Sequence, residues 1–411
     1  MSRSALIVGG GIIGASSAHF LSEAGWKVTI IDRGKFAGGC SHANCGLICP
    51  SHILPLAEPG AVRRTLSAML SKNSPFYIKP RLDIALWAWM WNFARRCNVD
   101  SMIEAGRGLQ PLLESSMHIY EQLGLDCEWE KKGLLFAYAD QAQLDAYAES
   151  DRMLRESFNH PARKLNGAEL SAMEPALKDG LAGAWFYEGD AHLRPDRLMD
   201  SWKTKLADRG VLIQENCELK GFVSAHGKAQ AAKTSTGDLP ADAFILATGA
   251  WTPLLSKELA CRIPIQPGKG YSMTMRRPNN CPQIPLIFPE TKVAVTPMQS
   301  GYRLGSMMEF SGYDESLRPE RLELLRRGAE PFLKEPYTND TEEQWFGWRP
   351  MTSDGLPIID FSPATNNVLI AAGHNMIGMS TGPGTGKLVA EMINKEQTHI
   401  DPRPYSLRRF S

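Results

Sequence analysis

The feature that most constrains the fold is a glycine pattern set between a strand and a helix. Gly9, Gly11 and Gly14 form G-x-G-x-x-G immediately after the apolar run Ala5–Val8 and at the start of a helical segment, Ile12–Ala24. In such a loop the first glycine makes the tight turn, the second admits a pyrophosphate to the backbone, and the third lets the helix pack on the strand. The helix N-terminus, with Ile12 and Ile13, then offers free N–H groups to anionic phosphates. Gly25 stands where the helix should stop, and Lys27–Ile31 reads as the next strand. That strand ends at Asp32, about 20 residues on, where an acceptor for a ribose hydroxyl belongs. The opening is therefore a βαβ unit of a parallel, Rossmann-type sheet that binds a dinucleotide. Asp32 disfavours a 2′-phosphate, and Arg33 reads as a solvated arginine.

The chain has 411 residues, which corresponds to two or three domains. Its 45 basic and 45 acidic residues cancel, so the basic excess of a nucleic-acid binder is absent. The short apolar run before the glycines is not a secretory signal, and no stretch of about 18 apolar residues is available to span a bilayer. Eight scattered cysteines fit a reducing compartment, and a cytoplasmic protein is expected. Cys40, Cys45 and Cys49 are spaced loosely like an iron–sulfur loop, but a fourth ligand and a Cys-x-x-Cys pair are missing. They read as loop residues, and no metal is expected.

Beyond Asp32, residues Gly34 to Pro59 lack periodicity, and so long an irregular stretch in a compact domain is usually functional. Leu82–Arg96 is an apolar helix carrying Trp87, Trp89 and Trp91. Aromatic residues on nearly every face point to burial in a substrate domain. The alternative is a membrane-interface helix, with Arg95 and Arg96 at the headgroups. Helices also read over Leu109–Leu123, Gln141–Ser157, Asp196–Arg209 and Gly386–Ile393. Strands read at Val211–Gln214, Ala243–Ala247 and Asn367–Ala371, with short β-like runs between Ile263 and Ser311. The expected fold class is α/β. A nucleotide-binding domain is assembled from 1–60, 140–250 and 340–411, and an α+β substrate domain with an antiparallel sheet from 61–139 and 251–339.

Six ordered segments resemble one family, the D-amino-acid oxidase/glycine oxidase flavoenzymes, and within it the D-amino-acid dehydrogenases. Ser41-His42-Ala43-Asn44-Cys45-Gly46-Leu47-Ile48 resembles the family's Ser-x-x-Asn-Ala-Gly-x-Ile loop along the flavin, with Cys45 for alanine and Leu47 for a common glutamine. The tryptophan-rich stretch from Phe76 to Cys97 is similar to theirs, as are Ile245–Trp251, near the pyrophosphate, and Pro267–Ser272. Gly347–Pro357 is close to Gly-Leu-Arg-Pro-Met-Thr-Pro-Asp-Gly-x-Pro, and Gly373–Met379 resembles the Gly-His-x-x-x-Gly loop at the flavin pyrimidine end. The resemblance implies FAD, held non-covalently because Gly347–Asp354 lacks the cysteine that tethers flavin in sarcosine oxidase-type relatives. It implies cofactor contacts from Gly9, Gly11, Ile12, Ile13, Gly14, Asp32, Arg33, Ser41, Asn44, Cys45, Gly46, Leu47, Glu218, Thr248, Gly249, Trp251, Gly373, Met376, Ile377, Gly378, Met379 and Ser380.

The implied reaction is oxidation of a D-amino acid by hydride transfer from Cα to flavin N5, and the protein's task is positioning. Arg349 is the expected carboxylate clamp, since a guanidinium meets a carboxylate bidentately. Tyr271 and His52 are further substrate-binding candidates, and His374 is read as shaping its loop. A cyclic substrate such as D-proline or hydroxy-D-proline is a variant, because Cys45, Leu47 and His52 depart from the commoner lining. The expected electron acceptor is a quinone or an electron-transfer protein, with peripheral membrane contact through Leu82–Arg96. Alternatives are an oxygen-using oxidase of the glycine or sarcosine type, a non-catalytic flavin-binding protein, and an NAD-dependent dehydrogenase. The flavoenzyme reading predicts a yellow protein that releases all its flavin into solution on denaturation. A colourless preparation that releases none contradicts it.

Overall fold

The computed structural model describes residues 3–63, 65 and 74–410. The expected segment 61–139 thus includes positions 64 and 66–73, which lie outside the described residues. The strands, in chain order, begin with β1 (Ser4–Val8), β2 (Lys27–Ile31), β3 (Leu47–Ile48), β4 (Phe76–Ile78), β5 (Leu134–Tyr138), β6 (Arg163–Asn166) and β7 (Gly183–Tyr187). There follow β8 (Ala191–His192), β9 (Leu212–Gln214), β10 (Leu219–Ala225), β11 (Lys228–Thr234), β12 (Gly237–Pro240) and β13 (Ala243–Leu246). The last are β14 (Ile265–Met275), β15 (Leu286–Phe288), β16 (Val293–Met298), β17 (Gly301–Phe310), β18 (Thr341–Thr352), β19 (Ile358–Phe361) and β20 (Val368–Ala372).

The six-stranded sheet has the order β19-β20-β13-β1-β2-β9. Its strands run parallel except at the β19/β20 edge. The residues of β1, β13 and β20 are almost all buried, as parallel strands covered on both faces must be. Helix α1 (Ile12–Glu23) crosses from β1 to β2, with Gly25 left-handed (φ +79°) after its end. Its other side packs on the final helix, Gly378–Asn394. That helix begins eight residues before the sequence pattern suggests. Gly382, Gly384 and Gly386 are poor helix formers in isolation, but a Cβ at Gly386 would fall 2.4 Å from the backbone of Ser16 and one at Gly382 would fall 2.7 Å from Ile12. Bare backbone lets the two helices touch, and Ser16 Oγ donates to the Gly382 carbonyl at 2.8 Å.

A second, largely antiparallel sheet of nine strands has the order β18-β14-β17-β16-β15-β5-β7-β6, with β4 beside β17. It corrects the expected domain boundaries at three places. Strands β6 and β7, expected in the nucleotide-binding domain, pair with β5 in this sheet. Strand β18 pairs with β14 along its length, although 340–411 was assigned to the first domain. The helix Val99–Leu123, expected in the substrate domain, buries Leu109, Leu112 and Leu113 in the same core as α1. Sheet membership depends on pairing at a distance along the chain, which local pattern does not encode.

The segment expected as one helix over Gln141–Ser157 is two, Gln141–Ala146 and Ala148–Phe158. The helix Ile84–Arg96 is capped by Asp83, whose side chain accepts from Leu86 N at 3.0 Å. Only Leu86 and Trp89 are buried in it, and Trp89 Nε1 donates to the Met351 carbonyl. Trp87 (56% exposed) and Trp91 (67%) face outward, which corrects the reading of a helix buried on all sides. No described helix is long and apolar enough to cross a membrane.

The glycine loop turns sharply. Gly9 has φ +108°, and a Cβ at Gly14 would lie 1.9 Å from the Gly9 carbonyl oxygen. Gly14→Ala is therefore expected to push α1 off the loop, lowering stability by about 1–3 kcal/mol and reducing retained flavin. Denaturant unfolding and the flavin-to-protein absorbance ratio check both.

Candidate active site

A cavity of about 350 Å³ opens at the C-terminal ends of β1, β2, β13 and β20, where the strand order reverses direction. Its size falls within the ordinary range for small-molecule sites. At one end lie Asp32, Arg33, Glu218 and Leu219. The middle is formed by Gly9, Gly11, Ile12, Ile13, Ser41, Thr248, Gly249 and Trp251. The other end carries Asn44, Arg349, Asn375, Met376, Gly378 and Met379.

Each of these elements is fixed by a local cause. Asp32 accepts from Gly10 N through one oxygen and from Gly34 N through the other, both at 2.8 Å, so the second strand end and the glycine loop are stapled together. Ser41 Oγ accepts from Ile12 N at 2.9 Å. A Cβ at Gly11 would meet only that Ser41 oxygen, at 3.2 Å, so the loop backbone is open to a ligand. Arg33, expected to be solvated, is exposed but stacks on the Trp251 ring at 4.0 Å.

Arg349 is a half-buried cation that lines the cavity. Nη1 donates to the Met307 carbonyl (2.6 Å) and Nη2 to the Ser306 carbonyl (3.3 Å). Its guanidinium lies across Gly270, where a Cβ would come within 2.3 Å of Nη1. Among the described residues no carboxylate pairs with it. Burial lowers the guanidinium pKa, and the nearby Cys40 and Cys45 thiols oppose that shift. Both thiols are pushed up by their own burial, Cys40 to about 11. The site thus holds an uncompensated positive charge with N–H groups to spare, the requirement for binding an anionic group.

Two sequence candidates lie elsewhere. Tyr271 is buried in the core of the antiparallel sheet and does not line the cavity; its hydroxyl donates to Glu309 at 3.1 Å. Strand alternation is the reason. Gly270 faces the guanidinium, so its neighbour Tyr271 faces the opposite side of β14. His52 is also absent from the lining. The chain leaves the cavity when Leu47 and Ile48 pair with His192 and Ala191. Of the expected cofactor contacts, Gly14, Cys45, Gly46, Leu47, Gly373, Ile377 and Ser380 are not among the lining residues. Gly46, with φ +74°, is pressed against the Leu193 carbonyl, and Ser380 Oγ donates to the Leu47 carbonyl at 3.0 Å.

Sequence reasoning missed the residues that hold the flavin-side loop. Ser272 donates to the Ala43 carbonyl (2.9 Å), Arg303 to that of Asn44 (2.7 Å), and Thr296 to that of Cys45 (2.6 Å). Three consecutive loop carbonyls are thus bound by β14, β17 and β16. The available signal was an arginine at an inward position of the apolar strand β17, 1% exposed. Asn375, in a left-handed turn (φ +51°), accepts from Thr352 N and donates to the Gly355 and Gly373 carbonyls, each at 2.9 Å.

The family model described as DAO, FAD dependent oxidoreductase, matches residues 4–392. The chain belongs to this family of FAD-dependent oxidoreductases. It is 31% identical over 420 residues to a D-amino acid dehydrogenase of Granulibacter bethesdensis, covering 99% of each chain. It is 30% identical over 421 residues to that of Methylobacterium radiotolerans, again covering 99% of each. Its fold is similar to that of glycine oxidase from Bacillus cereus (TM-score 0.77, 21% identity, 97% of each chain). The L-proline dehydrogenase of P. horikoshii is similar too (TM-score 0.73, 19% identity, covering 100% of this chain and 98% of the other). The residues present fit FAD: an acidic strand end, an open glycine loop at a helix N-terminus, and a second helix beginning at Gly378 on the cavity wall.

His374 also lines the cavity, and burial holds its pKa down at about 3. Thr385 Oγ1 donates to the Thr381 carbonyl, so it accepts from His374 Nε2 at 3.0 Å. A ring kept neutral in the fold but protonated near 6.5 when unfolded contributes stability above about pH 6.5 that is lost as pH falls towards 3. The Tm advantage of the native chain over His374→Gln is expected to narrow between pH 7.5 and 5. A gap that stays constant in calorimetry removes this linkage.

Proposed function

We propose that the chain oxidises a D-amino acid to the imino acid, which water hydrolyses to a 2-oxo acid and ammonia. The observation that carries this reading is Arg349, a cavity-lining guanidinium with no carboxylate partner among the described residues. The two curated relatives named above, both called D-amino acid dehydrogenases, support it at full length. Bound FAD supplies a two-electron acceptor at N5.

The chain's own groups do the rest. Arg349 fixes the substrate carboxylate in distance and angle. Asp32 meets the ribose, and the Gly9–Gly14 loop and α1 meet the pyrophosphate. Thr248, Gly249 and Trp251 would contact the same group, with Arg33 stacked on the indole. Asn44 and the Met376–Met379 turn would hold the ring, and N–H groups at the start of the final helix would favour negative charge on it. His374 shapes this turn, its ring held neutral by burial.

A cyclic substrate such as D-proline or hydroxy-D-proline is a variant within this reading, although Cys45, Leu47 and His52 do not line the cavity. For the acceptor we favour a quinone or electron-transfer protein over oxygen. Leu82, just before the helix, and Ile84, Trp87 and Trp91 on it expose apolar surface, with Arg95 and Arg96 in its last turn. Tryptophan and arginine in this arrangement suit the headgroup layer of a membrane.

Arg349→Leu is expected to keep its flavin while losing about 2–5 kcal/mol of transition-state binding in kcat/KM. Anaerobic bleaching of the flavin by D-, L- and cyclic amino acids, followed by oxygen or a quinone, tests substrate and acceptor together. Rapid reoxidation by oxygen would favour an oxidase, and bleaching by L- but not D-substrates would reverse the stereochemistry.

A further inference from the structure

After Ile48 the chain enters a small buried cluster that the reaction does not use. Cys49 Sγ, a ring nitrogen of His52 and a carboxylate oxygen of Asp190 lie within 4.8 Å of one another. Cys49 and Asp190 are buried, at 2% and 0% exposure. Asp190 sits in the turn between β7 and β8, and it is held in place by Ser51, whose N–H donates to one carboxylate oxygen (3.1 Å) and whose hydroxyl donates to the other. The Cys49 thiol also hydrogen-bonds this carboxylate, which keeps a lone pair for a further partner. The Nδ1 atom of His52 is shielded from solvent and has no hydrogen-bond partner. A buried ring nitrogen left without a partner is unfavourable by itself, and it becomes a ligand once a cation is supplied.

A thiol, an imidazole and a carboxylate from three side chains are the donor types of a zinc site with one open position. We propose that Cys49, His52 and Asp190 bind a divalent ion of the zinc class, and that the bound ion restrains the flavin-side loop. Binding forms Cys49–S, His52–N and Asp190–O bonds to the ion and releases the thiol proton to solvent; nothing is oxidised or reduced. Bond lengths of about 2.0–2.3 Å set donors roughly 3.5 Å apart, so the cluster contracts by about 1 Å at most. Rotation of the His52 ring, whose Nδ1 has no hydrogen bond to break, and release of the Cys49 thiol from Asp190 allow that movement.

The coupling path is short. Cys49 N donates to Ser380 Oγ at 3.1 Å, and the same hydroxyl donates to the Leu47 carbonyl. Ser380 follows Met379 in the first turn of the final helix, and Met379 lines the cavity. An ion that draws Cys49 inward therefore pulls on the seam between the loop and the helix start.

The test uses the flavin-loaded protein and Co2+ as a probe. One equivalent should produce the visible ligand-field bands of four-coordinate Co2+, at wavelengths beyond the oxidised flavin's absorption. Zn2+ should abolish them, and Zn2+ should also slow substrate-driven bleaching of the flavin until a chelator is added. Cys49→Ser and His52→Ala should each weaken Zn2+ binding by at least about tenfold, while keeping their yellow colour and a cooperative melt. Absence of the bands, or equal Zn2+ affinity in both variants, overturns the site. Unchanged bleaching with Zn2+ bound overturns the restraint on the loop. The cobalt bands do not depend on turnover, so their outcome stands apart from the amino-acid reading.

Discussion

The molecule depends on backbone contacts that only residues without a Cβ permit. The Gly9 carbonyl lies where a side chain at Gly14 would be, and the backbone of Ser16 lies where one at Gly386 would be. Those contacts bring α1 against both the first loop and the final helix. Close packing of this kind tolerates little change in volume. Because α1 is set this way, its N-terminus opens on the cavity from one side while the helix starting at Gly378 opens on it from another. The same geometry that joins the two ends of the chain thus places two positive helix ends around one space.

Against that background the guanidinium of Arg349 is informative because of what is missing around it. Buried cations normally sit beside acids. Arg321 and Arg318 do so at Glu309, and Arg409 does so at Asp354. Among the described residues Arg349 donates to two carbonyls, and the absence of a Cβ at Gly270 makes room for its guanidinium. Unlike these three, Arg349 has no carboxylate beside it among the described residues.

Much of this was legible in the sequence. Gly9 and Gly11 of the glycine loop, Asp32 and the strand end at Thr248-Gly249 depend on local chemistry, and the structure places them on the cavity wall. Arg349 was readable from its flanking residues. Tyr271 and His52 were not readable, because which face of β14 a tyrosine takes and where the chain leaves the cavity after Ile48 are set by pairing with β18 and β8. The domain boundaries failed for the same reason at β6, β7 and β18. The glycine-rich start of the final helix looked like loop because its helicity comes from contact with α1, not from propensity.

The loop that follows Ser41 gives three successive carbonyls to side chains of the antiparallel sheet. It also gives a serine hydroxyl to the helix of the parallel sheet. It is therefore a shared structural element rather than an appendage of either layer. A ligand that orders it adds its binding free energy to the stability of both layers at once, so cofactor affinity and the cooperativity of unfolding become one linked quantity.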